Sequence, residues 1–169
     1  MFACVDAAYC EPAAAAACVA GSEWREETIY CQATTREARI APYEPGAFYK
    51  RELPLIEKVL SRLTLAPDVI VIDGYVWLDA KGRQGLGAHL FEALGQRLPV
   101  IGVAKSSFAG AETWAELVYR GLSRRPLFVT AAGMSAKKAA AAVRRMHGAN
   151  RIPTLLQRAD ALARLTITS

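Results

Sequence analysis

Three carboxylates stand where an isolated charge is expensive. Asp6 interrupts the apolar stretch Phe2-Ala3-Cys4-Val5, and Asp73 ends the β-branched run Val69-Ile70-Val71-Ile72. At 100° per residue, Glu52 falls in the middle of the helical arc that holds Leu55, Ile56, Val59 and Leu63, so it faces a core rather than water. A carboxylate buried alone is strongly destabilising unless it is paired or bound to a cation. A fourth acid, Asp160, lies at the edge of the face made by Leu155, Leu156, Ala159 and Leu162. Acids drawn from two strands and a packed helix suit an oxygen cage for Mg²⁺ or Mn²⁺, in which a few carboxylates share the ion with water. Pairing with arginine or capping of a helix accounts for any one of them; three together favour a metal site. Lys105 follows the apolar run 100–104 and offers positive charge to a phosphate in the same cleft, or else is an ordinary solvated lysine.

The elements that must position these residues read clearly in part. Strands are expected over 2–10, 13–21 and 27–36, broken at Glu11-Pro12 and Gly21-Ser22, which suggests an antiparallel meander. Pro42-Tyr43-Glu44-Pro45-Gly46 makes a rigid turn, because each proline fixes φ beside one tyrosine. A helix follows to about 63, then a strand over 69–72 of the continuous apolar kind found inside parallel sheets. A helix over 85–96, a second buried strand over 100–104 and a hairpin from 114–119 to 127–130 come next. Two helices, at 135–147 and 153–165, close the chain. The expectation is one α/β domain over 1–169, a mixed sheet covered by helices.

Composition narrows the classes further. The chain has 169 residues, 21 Lys plus Arg against 16 Asp plus Glu, and a formal charge of +5. That size suits one domain, and the charged fraction of 22% argues against disorder. No apolar run approaches the ~20 residues a membrane helix needs. The first residues lack the basic segment of a secretion signal, so a cytoplasmic location and no membrane partner are expected. The four cysteines, at 4, 10, 18 and 31, fit no zinc-ribbon pattern and read as reduced thiols packed in strands. Lys137, Lys138, Arg144 and Arg145 share one side of a helix opposite Ala139, Ala142, Val143 and Met146. Such a stripe fits a polyanion backbone or a merely solvated face. Neither His89 nor His147 is assigned a catalytic role, and a monomer is expected.

Taken in order, Val5-Asp6-Ala7-Ala8-Tyr9, Pro42-Tyr43-Glu44-Pro45-Gly46, Glu52, Val71-Ile72-Asp73-Gly74, Gly85-Leu86-Gly87-Ala88-His89, Ile101-Gly102-Val103-Ala104-Lys105-Ser106 and Arg151-Ile152-Pro153 with Asp160 resemble the endonuclease V family. The resemblance implies a ribonuclease H-like sheet and Mg²⁺-dependent, or Mn²⁺-dependent, hydrolysis of phosphodiesters in DNA, or in RNA, near a deaminated base such as inosine. It implies that Asp6, Glu52 and Asp73 hold the metal, with Asp160 as an outer or additional acid, and that Lys105 steadies the phosphate. Tyr43 would be the wedge that fills the space of a flipped base. Gly46 and Gly74 would let the backbone approach that base, with Lys81 and Arg83 as nearby positive charge.

The sequence departs from that pattern in several places. Tyr75 to Gln84 replaces a glycine and a His-Pro-Arg-type segment, and Thr130 to Ser135 lacks the histidine of a Ser-Pro-Gly-His-like turn. Glu44 stands where an apolar residue is usual, and the helical segment before the first strand is missing. Two alternatives remain open at this point. One is an endonuclease V-like nucleic-acid binder that no longer cuts. The other is an acyl-CoA N-acetyltransferase, in which Gly82-Arg83-Gln84-Gly85-Leu86-Gly87 would cradle a pyrophosphate.

Overall fold

The computed structural model describes residues 1–40, 44 and 49–168. The proline-flanked turn, including Tyr43 and Gly46, lies outside the described residues apart from Glu44. The elements run β1 (Phe2–Cys10), β2 (Ala13–Gly21), β3 (Cys31–Glu37), α1 (Tyr49–Leu60), β4 (Val69–Asp73), α2 (Leu86–Ala93), β5 (Val100–Ala104), β6 (Glu116–Val118), β7 (Leu127–Ala132), α3 (Ala136–Arg145) and α4 (Thr154–Thr168). One seven-stranded sheet has the order β3-β2-β1-β4-β5-β7-β6. The meander β1-β2-β3 is antiparallel, as the turn residues require. β1, β4 and β5 are parallel, and β7 and β6 return antiparallel. This is the expected mixed α/β sheet.

The two central runs, Val69–Asp73 and Val100–Ala104, are apolar because both faces are covered. On one face Val71, Ile101 and Val103 meet Ala139, Val143, Leu155 and Leu156 of α3 and α4. On the other, Ile70, Ile72 and Val100 meet Leu55, Ile56 and Val59 of α1 and Leu90 of α2. The alanine run finds its explanation in β2, which is buried along its whole length. Ala14 and Ala16 lie in the α1 core, and Ala13 and Ala15 pack with Ile167 of α4. Methyl-sized side chains let helices sit close on both sides of this strand.

Several boundaries differ from expectation for identifiable reasons. β3 starts at Cys31 instead of 27, because Trp24 turns back to stack on Phe2 at 4.2 Å and pairing resumes only at Ala20 opposite Cys31. α1 ends at Leu60, and the expected last turn tightens into three-residue hydrogen bonds, Arg62 N–H to Val59 O and Leu63 N–H to Leu60 O. α2 stops at Ala93 because Gly95 and Gln96 both adopt positive φ, 68° and 58°.

The segment after Asp73 is wedged against glycines. A Cβ on Gly102 would lie 2.6 Å from the Gly74 carbonyl oxygen and 2.9 Å from Val76 N. A Cβ on Gly85 would lie 2.5 Å from the Tyr75 oxygen. Gly102→Ala is therefore expected to destabilise the fold by about 1–3 kcal/mol through overpacking, read as a lower urea midpoint at unchanged slope.

Candidate functional site

The parallel register sets Val5 opposite Ile72, so the next residues, Asp6 and Asp73, follow side by side on neighbouring strands. Asp73 pairs in turn with Val103, two residues before Lys105. Opposite Asp6 on the antiparallel side stands Ala17, whose side chain is a methyl group with no polar atom. Asp6 accepts one from the Ala7 N–H at 2.8 Å. Burial, with the neighbouring charges of Asp73 and Asp160, pushes the Asp6 carboxyl up to about 7 against the Ala7 hydrogen bond and the Lys105 charge.

Glu52 comes from α1, on the other face of the sheet, and is half-buried. Burial first, then the charge of Asp6, raises its carboxyl to about 8; the Tyr9 hydroxyl opposes the shift and Asp73 adds to it. Beside it Arg51 is buried, ion-paired with Glu11 at 2.5 Å, its guanidinium 5.2 Å from the centre of the Tyr9 ring. The Glu11–Arg51–Tyr9 chain thus braces the strand end that Glu52 faces.

Lys105 Nζ pairs with Asp73 Oδ2. Burial works against its charge, but Asp73, Asp6 and Asp160 outweigh it and keep it protonated. The Lys105 carbonyl is itself held by Arg151, whose Nη2 donates to it and, at 2.7 Å, to the Pro126 carbonyl. A cleft of about 160 Å³ opens here, lined by Asp73, Lys105, Ile152, Leu156, Gln157 and Asp160. Asp160 reaches the cleft from α4 while its Oδ1 accepts from Arg164 Nε at 2.8 Å, one helical turn on.

Asp6, Glu52 and Asp73 are thus within electrostatic reach of one another, and Asp160 acts on Asp6 from across the cleft. Among the described residues, no three acids or other ligating side chains converge closely enough to hold one ion between them. The donor set nonetheless fits Mg²⁺ or Mn²⁺: hard carboxylate oxygens, in mutual repulsion that a cation would relieve, in a number that leaves room for water and phosphate.

The substrate-side residues divide. Gly74 has φ 141° and nothing within 4 Å of where a Cβ would stand, so that side of the turn is open to a ligand. Lys81 and Arg83 lie on an exposed loop organised by Asp79, whose Oδ1 accepts from the backbone N–H of both. The four cations of α3 are exposed and Ala139, Ala140, Ala142 and Val143 buried, in the expected amphipathic arrangement. His89 stacks on Tyr49 at 3.5 Å, and His147 Nδ1 lies 3.0 Å from Thr154 Oγ1. The thiols of Cys4 and Cys18 are pushed up by burial, that of Cys18 to about 12, and all four cysteines are free. No helix is long and apolar enough to cross a membrane among the described residues.

The glycine-rich run does not offer a phosphate cradle. Gly82 N–H donates to Asp79 O, Gly85 N–H to Val76 O and Gly87 N–H to Tyr75 O, so the amides an acyl-CoA pyrophosphate would need are already used. Sequence reasoning passed over Gln157, although it stands three residues before Asp160 and so shares its face of α4. It also gave no task to Arg151, Tyr9 or Phe108, whose partners come from distant segments.

Comparison with known proteins gives a consistent result. The family model for endonuclease V matches residues 1–161. An endonuclease V from Alkalilimnicola ehrlichii is 37% identical over 82 residues, 48% of this chain and 35% of that protein. The chain spans little more than a third of the length of the curated relatives it matches. The crystal structure of endonuclease V from Streptomyces avermitilis superposes with a TM-score of 0.78 at 27% identity, covering 98% of this chain and 80% of that one. Endonuclease V from Ciona intestinalis, in complex with a 23-mer DNA containing an inosine followed by a ribo-adenosine, superposes with a TM-score of 0.82 at 20% identity, over 99% and 85% of the two chains.

Proposed function

The chain belongs to the endonuclease V family, and on that premise we propose that it is a metal-dependent endonuclease cutting phosphodiester bonds in nucleic acid near deaminated bases such as inosine. The observation that carries this reading is Asp6 beside Asp73 on neighbouring strands, with Glu52 in electrostatic reach of both and Asp73 lining a cleft that also holds a lysine. A structural role does not account for two carboxyls, Asp6 and Glu52, whose ionisation burial and neighbouring acids oppose. Asp6, Glu52 and Asp73 would hold Mg²⁺ or Mn²⁺, with Asp160 outside them. A cation held there would activate the attacking water and neutralise the leaving 3′ oxygen.

The chain's own groups then divide the work. Lys105, paired with Asp73 at the cleft, is placed to donate to the scissile phosphate. Arg151 keeps the Lys105 backbone in place. Gln157 presents an amide to the same cleft and can donate to a phosphate oxygen. Gly74 leaves room for the base, and Lys81 and Arg83 hold the neighbouring backbone. Lys105→Ala is expected to lower the single-turnover cleavage rate about a hundred-fold, with a smaller effect on binding, because the lysine is used most fully where negative charge develops.

The test incubates the protein with inosine-containing and plain oligonucleotides, single- and double-stranded, DNA and RNA, in Mg²⁺, Mn²⁺ or EDTA. Cutting that requires metal and favours the inosine strand is expected. Metal-independent retention of every strand without cutting would instead mark a binder, a reading favoured only by the Lys105–Asp73 pair and by the altered loop at 75–84.

A further inference from the structure

Next to the cleft an aromatic surface is held open at the exit of β5. Phe108 follows Lys105 by three residues and leaves 39% of its surface exposed. Its ring lies 6.1 Å from that of Tyr75, tilted by 56°, and Tyr75 packs in turn on Phe128 at 6.5 Å. Tyr75 is fixed in place, since its hydroxyl donates to the Ser106 carbonyl at 2.9 Å, one residue after Lys105. The Arg83 guanidinium sits 5.5 Å from the centre of the Phe108 ring.

The loop that delivers Arg83 is braced from several sides. Trp77 Nε1 donates to the Ala131 carbonyl and Trp114 Nε1 to the Asp79 carbonyl, at 2.9 and 2.8 Å. Trp77 and Trp114 pack together at 5.7 Å, and Trp77 bridges to Gln84 across the loop. Asp79 caps the Lys81 and Arg83 amides and ion-pairs with Arg83 at 3.3 Å. A large apolar ring left two-fifths exposed, with a cation over it, has little structural purpose. Its chemistry matches one class of ligand: a flat, π-faced base on a negatively charged strand.

We propose that the Phe108 ring, backed by Tyr75 and flanked by Arg83, is a stacking platform for an unpaired nucleobase of the strand whose phosphate enters the Asp73–Lys105 cleft. The inference rests on the nucleic-acid reading above. The platform receives a base one or a few nucleotides from the scissile bond and sets the register of the strand, while Arg83 and Lys81 take the adjoining phosphates. Preorganisation by the tryptophan braces means that little order has to be imposed on the protein when the base arrives.

Binding in EDTA, read by fluorescence anisotropy, tests this without metal or cutting. Single-stranded oligonucleotides, in deoxy and ribo series, each carry one abasic position walked along the strand. For the parent protein, one gap position in at least one series is expected to weaken binding about ten-fold, and Phe108→Ala to weaken binding of the intact strand by the same factor. The gap and the substitution together should do no more than either alone, and Phe108→Trp should keep the affinity. A melting temperature for Phe108→Ala within a few degrees of the parent shows that the fold is intact. If the substitution has no effect, or weakens every gapped strand equally, the platform is wrong while the nuclease reading stands. If the parent itself binds no strand, both fall.

Discussion

Asp73→Asn is expected to lower metal-dependent cleavage at least about a thousand-fold, corresponding to roughly 4 kcal/mol of transition-state stabilisation. Asparagine keeps the size of aspartate and its place at the end of β4, beside Asp6 and opposite Val103. It removes the charge that pairs with Lys105 and that would complete the set of cation ligands. Affinity for an oligonucleotide in EDTA should be retained or slightly improved, since Lys105 is then free to meet a phosphate. The melting temperature should stay within a few degrees, because Asp73 is not enclosed in the core. Rate, affinity and stability thus move separately. Parent-like cutting by Asp73→Asn would show that the reaction does not run through this acid.

The second large effect is on stability against pH. Asp6 and Glu52, with ordinary values of 3.8 and 4.5, are held in the folded chain at about 7 and about 8. Between those limits the folded chain binds more protons than the unfolded one, so stability falls as pH rises. The contribution is absent below about pH 3, where both carboxyls are protonated in either state. It reaches its full unfavourable size above about pH 9, where both are ionised in either state. Glu37 and Asp79 act in the opposite sense at lower pH, since a lysine and two backbone amides respectively favour their charged forms.

In EDTA the melting temperature is therefore expected to drop by about 5–10 °C between pH 5 and pH 8.5, the size expected for a few kcal/mol in a chain of this length. On the proposed reading Mn²⁺ would bind the ionised acids and only in the folded chain, so millimolar Mn²⁺ should recover most of that loss at pH 8.5 and little at pH 5. The double substitution Asp6→Asn with Glu52→Gln should flatten the profile and raise stability at high pH, at the expense of activity. A flat profile in the parent, or equal rescue by Mn²⁺ at both pH values, would contradict the electrostatic account.

How far the sequence carried these conclusions depends on what each feature needs. Asp6 and Asp73 were legible because each breaks an unbroken apolar strand, and Glu52 because helical spacing alone puts it on the buried side of α1. The alternation of meander and βα units likewise left few sheet orders to choose from. Distant contacts carry no such local mark. Nothing in the neighbourhood of Arg151 says that its guanidinium reaches the Lys105 carbonyl, 46 residues away. Nothing around Phe108 announces Tyr75 or Arg83 as neighbours. Boundaries slipped where tertiary packing overrode local pattern, as when Trp24 stacked on Phe2 and delayed β3, or when two positive-φ residues cut α2 short. The glycine run 82–87 misled for a related reason. Its spacing suits a phosphate loop, but whether an amide is free depends on Tyr75, Val76 and Asp79, which already accept from it.

The central claim is that Asp6, Glu52 and Asp73 form a cation site at the head of the cleft. Anomalous diffraction from crystals soaked in Mn²⁺ at pH 8 tests it most directly. The account predicts a peak between the Asp6 and Asp73 carboxylates on the side facing Glu52, lost in crystals of Asp73→Asn. A peak confined to other acids of the surface, with none at Asp6 and Asp73, would contradict it.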